Sequence, residues 1–144
     1  MKEGLLKTMF SGRLCRKNYL YGNVTLWILM LLVAGVLWAL LTLVGVFFAT
    51  DLKSVFYAIM FCFVMVFALS LMVRRHHDLD QGGIIPVLVS VAIIIIGVIN
   101  TSLVSTIGGL YTLYLLLAKG KEVDNKYGSP DKTRGIFQII GVRP

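Results

Sequence analysis

Charged side chains vanish from this chain over three long stretches: Val24 to Thr50, Ser54 to Val73 and Gly82 to Ala118 contain no Asp, Glu, Lys or Arg. A helix crossing a hydrocarbon core of roughly 30 Å takes about 20 apolar residues. The first two stretches are therefore each long enough for one crossing, and the third is too long for one. The pattern predicts an all-α integral membrane helical bundle.

The third stretch divides most naturally at Asn100, Thr101 and Ser102, polar residues whose side chains bond nearby backbone groups and so favour turns, with Ser105 extending the same tendency. Two short arms result, each at the lower edge of a full span, and the hairpin they form is either a pair of crossings or a re-entrant dip. Pro86 falls early in the first arm, where a missing amide proton does least damage and marks a helix start. The predicted layout is one membrane domain: 1–23 a basic, interfacial segment; 24–50, 54–73, 84–99 and 103–118 four helices; 74–83 a polar loop; 119–144 a tail. Gly35 with Ala39, and Gly108 with Gly109, suggest close helix contacts, as do Gly97 and Ser90.

Composition points the same way, since 58% hydrophobic residues, 15% charged residues and a mean hydropathy of +0.86 exceed what a soluble core of 144 residues buries. The first apolar run is far longer than the roughly 7 to 15 residues of a secretory signal, so the amino terminus is expected to persist as part of the protein. Cys15 and Cys62 stand at different depths without zinc-ligand spacing or a disulfide framework and read as free thiols.

Orientation follows from the placement of the basic residues. Lys2, Lys7, Arg13, Arg16 and Lys17 precede the first span, Lys53 alone separates the first from the second, Arg74 and Arg75 follow the second, and six more lie in the tail. Cytoplasmic loops collect Lys and Arg, which puts both termini and the loop at Arg74 inside and calls for an even number of crossings. Three crossings would carry the six basic residues of the tail outside. The same bias accounts for the net charge of +7 without nucleic acid as a partner.

Before the first span, Leu5, Leu6, Met9 and Phe10 recur on one helical face among basic residues, as in a short helix lying on anionic lipid. In the tail, Ile136, Phe137, Ile139 and Ile140 return apolar surface to the interface. Polar chemistry concentrates at Arg74-Arg75-His76-His77-Asp78-Leu79-Asp80-Gln81-Gly82-Gly83. A metal site or an acid and base pair at His77 and Asp78 would need partners from elsewhere, because adjacent histidines do not share a helical face and there is no further His in the sequence. The favoured reading is structural, with the arginines clamping carboxylates or phosphates and holding the helix ends together. No cofactor is expected.

Three separated segments resemble a known family. Phe10-Ser11-Gly12-Arg13 followed by Arg16-Lys17-Asn18-Tyr19, then Arg74-Arg75 with His77-Asp78, then Asn125-Lys126-Tyr127-Gly128, are similar to the motifs of small bacterial inner-membrane proteins of the YhaH/YhaI type, which share a domain of unknown function. The resemblance covers about residues 10 to 130. Departures stand at Gly82-Gly83-Ile84-Ile85, where the family has aromatic residues, at Tyr19-Leu20 in place of Tyr-Trp, and at Ser129-Pro130-Asp131 in place of Pro-Asp-Pro. The resemblance implies a helical fold in the bacterial cytoplasmic membrane and names no reaction. The charge argument sets all three segments on the cytoplasmic side, where Arg13, Arg16, Arg74 and Arg75 are expected to form a basic collar, with His77, Asp78, Asn125 and Tyr127 completing hydrogen bonds among the loops. Its expected partners are anionic lipid head groups, a second copy of the chain or another membrane protein. A structural or interaction role is favoured over a transport component, whose path would call for ionisable groups within the spans, and over an interfacial enzyme using His77 and Asp78.

Overall fold

The computed structural model describes residues 9–43 and 50–130, with the side chains of 41–43 and 50–53 set aside. Among the described residues four main helices follow one another: α1 (Arg16–Leu43), α2 (Thr50–Asp78), α3 (Ile84–Ile99) and α4 (Thr101–Leu117). The chain is all-α as expected, and its described residues form no strand beyond one isolated bridge between Asn125 and Gly128. Residues 1–8, with most of the expected interfacial helix, and the apolar tail at 136–140 lie outside the described residues.

α1 and α2 are long and apolar enough to cross a membrane; α3 and α4, at 16 and 17 residues, are shorter. At a rise of about 1.5 Å per residue the short pair reaches about 25 Å, less than a typical hydrocarbon core. Both long helices extend past the apolar stretches that predict them. α1 begins at Arg16, and α2 continues through Arg74–Asp78, so the polar segment after the second span is helix in its first half and turn in its second.

The turns have local causes. Asp80 sits at a φ of 62° after α2, where the Asp80 amide bonds the His77 carbonyl and the Gln81 amide bonds that of His76. This paired return closes the helix end, and Asp tolerates the left-handed position better than most residues. Between α3 and α4 the break is a single residue. Asn100 donates its amide to the Ile96 carbonyl, and its side-chain Oδ1 accepts from the amides of Ser102 and Leu103 at 3.0 and 3.3 Å, so it caps one helix and starts the next. Thr101 and Ser102 are already helical, and the turn does not extend to Ser105, whose hydroxyl bonds the Thr101 carbonyl instead. An added Cβ on Gly97 would stand 3.2 Å from Val104, so α3 and α4 do approach closely there.

At three other expected glycines the backbone has open space. An added Cβ at Gly35, Gly108 or Gly109 would meet nothing within 4 Å, because no neighbouring backbone comes near enough to require glycine. The buried apolar cluster lies at one end instead, where Leu14, Tyr19, Leu71 and Leu115 meet and Met72, Leu79, Tyr111 and Leu116 pack around them. That end gathers the start of α1, the end of α2 and the end of α4.

Candidate functional site

Polar side chains are buried at this end alongside the apolar ones. Arg13, Asn18, Arg74, Arg75, His76, His77 and Asp78 all have less than a tenth of their surface exposed. A buried charge is costly unless it is paired and fully hydrogen-bonded, so the partners of these groups decide what the site is.

Asp78 is the centre. Its Oδ1 accepts from Arg13 Nε at 3.1 Å, with Arg13 Nη2 also 3.1 Å away, and its Oδ2 accepts from Arg75 Nη1 at 2.5 Å. The side chains of both arginines are 0% exposed, so solvent does not screen these pairs. Their remaining donors go to backbone carbonyls. Arg13 Nη1 donates to Val123 and Gly128 at 2.8 and 3.2 Å, and Nη2 to Lys121. Arg75 Nε donates to Leu115 at 2.8 Å, Nη1 to Leu14 at 3.4 Å and Nη2 to Ala118.

Two of these carbonyls, of Leu115 and Ala118, are ones the end of α4 cannot satisfy by itself. The last four carbonyls of a helix have no intrahelical partner, and they carry the negative end of its dipole. Arg75 meets this need at α4 through Leu115 and Ala118. At α2 the Arg74 carbonyl accepts from the Leu14 amide at 3.0 Å, that of His77 from Asn125 Nδ2 at 2.8 Å, and that of Asp78 from the Lys121 amide at 2.9 Å. Two negative helix ends thus surround two guanidinium groups and one carboxylate, an arrangement in which the excess positive charge is offset.

The incoming and outgoing segments are shaped to reach this centre. Gly12, at a φ of 83°, turns the chain into Arg13, and its carbonyl accepts from His77 Nδ1 at 3.0 Å. Just before it, the Met9 carbonyl accepts from Ser70 Oγ at 2.7 Å. Asn125 to Gly128 forms a tight turn closed in both directions by backbone bonds, with the Asn125 side chain accepting from the Tyr127 amide at 2.9 Å and Gly128 at a φ of 116°. The turn lays the Tyr127 ring flat on His77, centroids 3.7 Å apart and planes 8° from parallel. Gly120 has no room for a side chain, since its Cβ would fall 1.9 Å from Asp78 Oδ2.

Of the residues singled out from sequence, Gly12, Arg13, Arg75, His77, Asp78, Asn125, Tyr127 and Gly128 come together directly, and Arg74 joins through its backbone. Tyr19 is fully buried beneath them in the apolar cluster. Arg16 stands apart at the exposed rim, its Nη1 3.5 Å from the Leu117 carbonyl. Arg13, Arg74 and Arg75 do not form an outward collar; burial turns them inward. Sequence reasoning missed Gly120, the carbonyls of residues 115 to 123 and the side chain of Ser70. It also missed a chain in which Gln81 and Tyr111 flank His76, each 2.7 Å from a ring nitrogen. Nothing in a side chain announces a carbonyl acceptor.

The chemistry available is limited by this mutual satisfaction. Both oxygens of Asp78 are engaged by arginine, and His77 faces Gly12 and Tyr127, so the two adjacent residues do not act on a shared proton. Among the described residues no group of three or more His, Cys, Asp and Glu side chains could hold a metal ion. At the exposed margin Asp80 accepts from Lys121 Nζ at 2.7 Å, and Glu122 pairs with Lys119 at 2.9 Å; each lysine holds its carboxyl partner below the ordinary range.

No curated protein and no solved structure matches this chain. The family described as "Protein of unknown function (DUF805)" matches residues 8–129, a range that contains all three motifs, in keeping with the resemblance to YhaH/YhaI-type proteins. Since its model spans most of the sequence, the chain belongs to the DUF805 family.

Proposed function

We propose that this protein is a small multi-pass protein of the bacterial inner membrane, with a structural or interaction role, whose cytoplasmic end is a rigid platform tied together by Arg13, Asp78 and Arg75. The carrying observation is the convergence of three chain segments on Asp78. The beginning of α1, the end of α2 and the end of α4 are bonded to one another through Leu14, Arg75, Leu115 and Ala118. Helices that start and finish at one end run out and back, out and back, which supports an even number of crossings with the basic segments on the side favoured by Lys and Arg.

Exposure of the long helices supports the membrane setting. In the apolar windows of α1 and α2, 0% and 11% of residues are buried, whereas the core helix of a soluble protein is mostly buried. Trp27, Leu31, Trp38, Phe61 and Phe63 all present more than half their surface outward. Hydrocarbon is the surrounding in which that surface costs nothing.

A platform rather than a catalyst is favoured because the motif residues are spent on each other. The outward basic groups include Arg16, Lys17, Lys119 and Lys126, which stand outside the bonds around Asp78. They suit anionic lipid head groups or an acidic partner surface. The test combines location with coupling. Tags on both termini should be accessible from the cytoplasmic side alone, and the protein should need detergent for extraction. In detergent, Arg75→Met, Asp78→Ala and Tyr127→Ala, singly and in pairs, should give non-additive losses of stability. Opposite-facing tags or recovery without detergent would overturn the membrane reading, and simple additivity would overturn the platform.

A further inference from the structure

Beside the platform, α1 and α4 part to leave a groove of about 610 Å³, within the usual volume range of small-molecule sites. Leu20 forms one wall and Leu113, Leu116 and Leu117 the other, while Arg16 and Lys17 stand at its rim. A polar recess of about 180 Å³ adjoins it through Cys15 and Arg16, with Lys119 and Lys121 on its far side. Those two lysines are matched by Glu122 and Asp80. Among the described residues no carboxylate is paired with Arg16 or Lys17. Within the described residues, then, the charge without a carboxylate partner sits where apolar wall gives way to polar rim.

We infer that this cleft binds one anionic glycerophospholipid, with its phosphate held by Arg16 and Lys17 and one acyl chain laid between Leu20 and the α4 leucines. The inference rests on the membrane reading above, which brings lipid to the mouth of the cleft at high local concentration. Charge complementarity selects an anionic head group over a zwitterionic one, and the groove adds what a flat basic surface lacks, a slot for the chain. Guanidinium binds phosphate with a planar fork and lysine as a point charge, so the pair combines orientation with attraction. Arg13 and Arg75 do not compete for the lipid, because their donors are occupied inside the platform.

The test is lipid retention by the purified full-length protein. Equal amounts of phosphatidylglycerol and phosphatidylcholine are supplied in detergent micelles, and the lipids that stay bound are counted by native mass spectrometry. The expected result is retention of one phosphatidylglycerol in preference to phosphatidylcholine. Removing a basic residue near an anionic head group should weaken retention about fivefold, and Arg16→Gln with Lys17→Gln together about 25-fold. Leu20→Trp fills the groove without touching the charges and should also abolish retention, with Leu113→Trp on the opposite wall as a second block should the first disturb folding.

Equal retention of the two lipids by the unaltered protein would overturn the inference, as would full phosphatidylglycerol retention by the filled-groove variants. A chain that dimerises through this cleft, loses dimerisation on Leu20→Trp and retains no lipid would assign the groove to a second copy instead. These outcomes are separate from failure of the membrane reading, which shows as extraction without detergent or tags on opposite faces.

Discussion

The two ends of this bundle are held by different means. At the platform end, Leu14, Tyr19 and Leu115 are fully buried, and Arg13 and Arg75 are bonded to Asp78 and to main-chain carbonyls. At the opposite end, Val98 and Ile99 keep 87% and 81% of their surface exposed, and Asn100 joins two helices by its own capping bonds. Apolar surface gains little by leaving lipid for protein, so apolar side chains alone give helices in a membrane little reason to adhere. On the membrane reading proposed above, directional bonds to charged groups take the part that a hydrophobic core plays in water, and they are concentrated where the chain segments enter and leave.

The largest effect that would sharpen this contrast is removal of the shared carboxylate. Asp78→Ala strands two buried guanidinium groups, and a loss of about 3–5 kcal/mol is expected in a denaturation experiment in detergent. A small loss would mean that the carbonyls alone satisfy both arginines. Gly120→Ala comes next. Its methyl group collides with Asp78 Oδ2, and displacing that oxygen should cost about 1–3 kcal/mol by the same measurement.

Moving to the other end, Asn100→Ala takes away the acceptor for the Ser102 and Leu103 amides and is expected to cost about 1 kcal/mol, the usual value of a helix cap. Val98→Ala, on a face with almost no protein neighbour, should change stability by no more than about 0.5 kcal/mol. If it matched Gly120→Ala, the open end would be packed after all and the contrast between the ends would fail.

The smallest effect concerns the exposed margin. Lys121 holds the Asp80 carboxyl below its ordinary value, chiefly through their hydrogen bond. A carboxyl depressed in the folded protein stabilises it above the unfolded-state value, and that contribution drains away as the pH falls through the folded-state value. Comparing acid titrations of the protein and of Asp80→Asn should therefore show a difference confined to the acid side of the carboxyl range. Because the pair is exposed, salt should erase most of it.

Much of the architecture was legible in sequence because an unbroken apolar run has few other uses. The three uncharged stretches led to four helices, and Asn100 was correctly read as belonging to the break in the third. The helix ends were harder. Arg74 to Asp78 look like a loop when charge is taken to end a span, yet they continue α2, since backbone hydrogen bonding runs on as long as the side chains find partners. Glycine was the weakest guide: Gly35, Gly108 and Gly109 suggested close helix contacts, yet a Cβ added at any of them would meet nothing within 4 Å, whereas Gly120, unremarkable in sequence, lies directly against the central carboxylate.

By itself, the sequence determined that this chain forms apolar helices and where its polar residues cluster along them, because helix formation in an apolar run and the spacing of charge are local properties. Only the tertiary structure decided that Arg13 and Arg75 face each other across Asp78 instead of facing outward, and that Arg16 alone of the four expected arginines stays exposed at the rim. The physical reason lies in the acceptors. Most donors of the two buried arginines end on main-chain carbonyls: those of Leu115 and Ala118 at the end of α4, of Leu14 just before α1, and of Lys121, Val123 and Gly128 in the segment after α4. Those carbonyls exist in every residue and become a binding site only when folding brings their unpaired oxygens to one place.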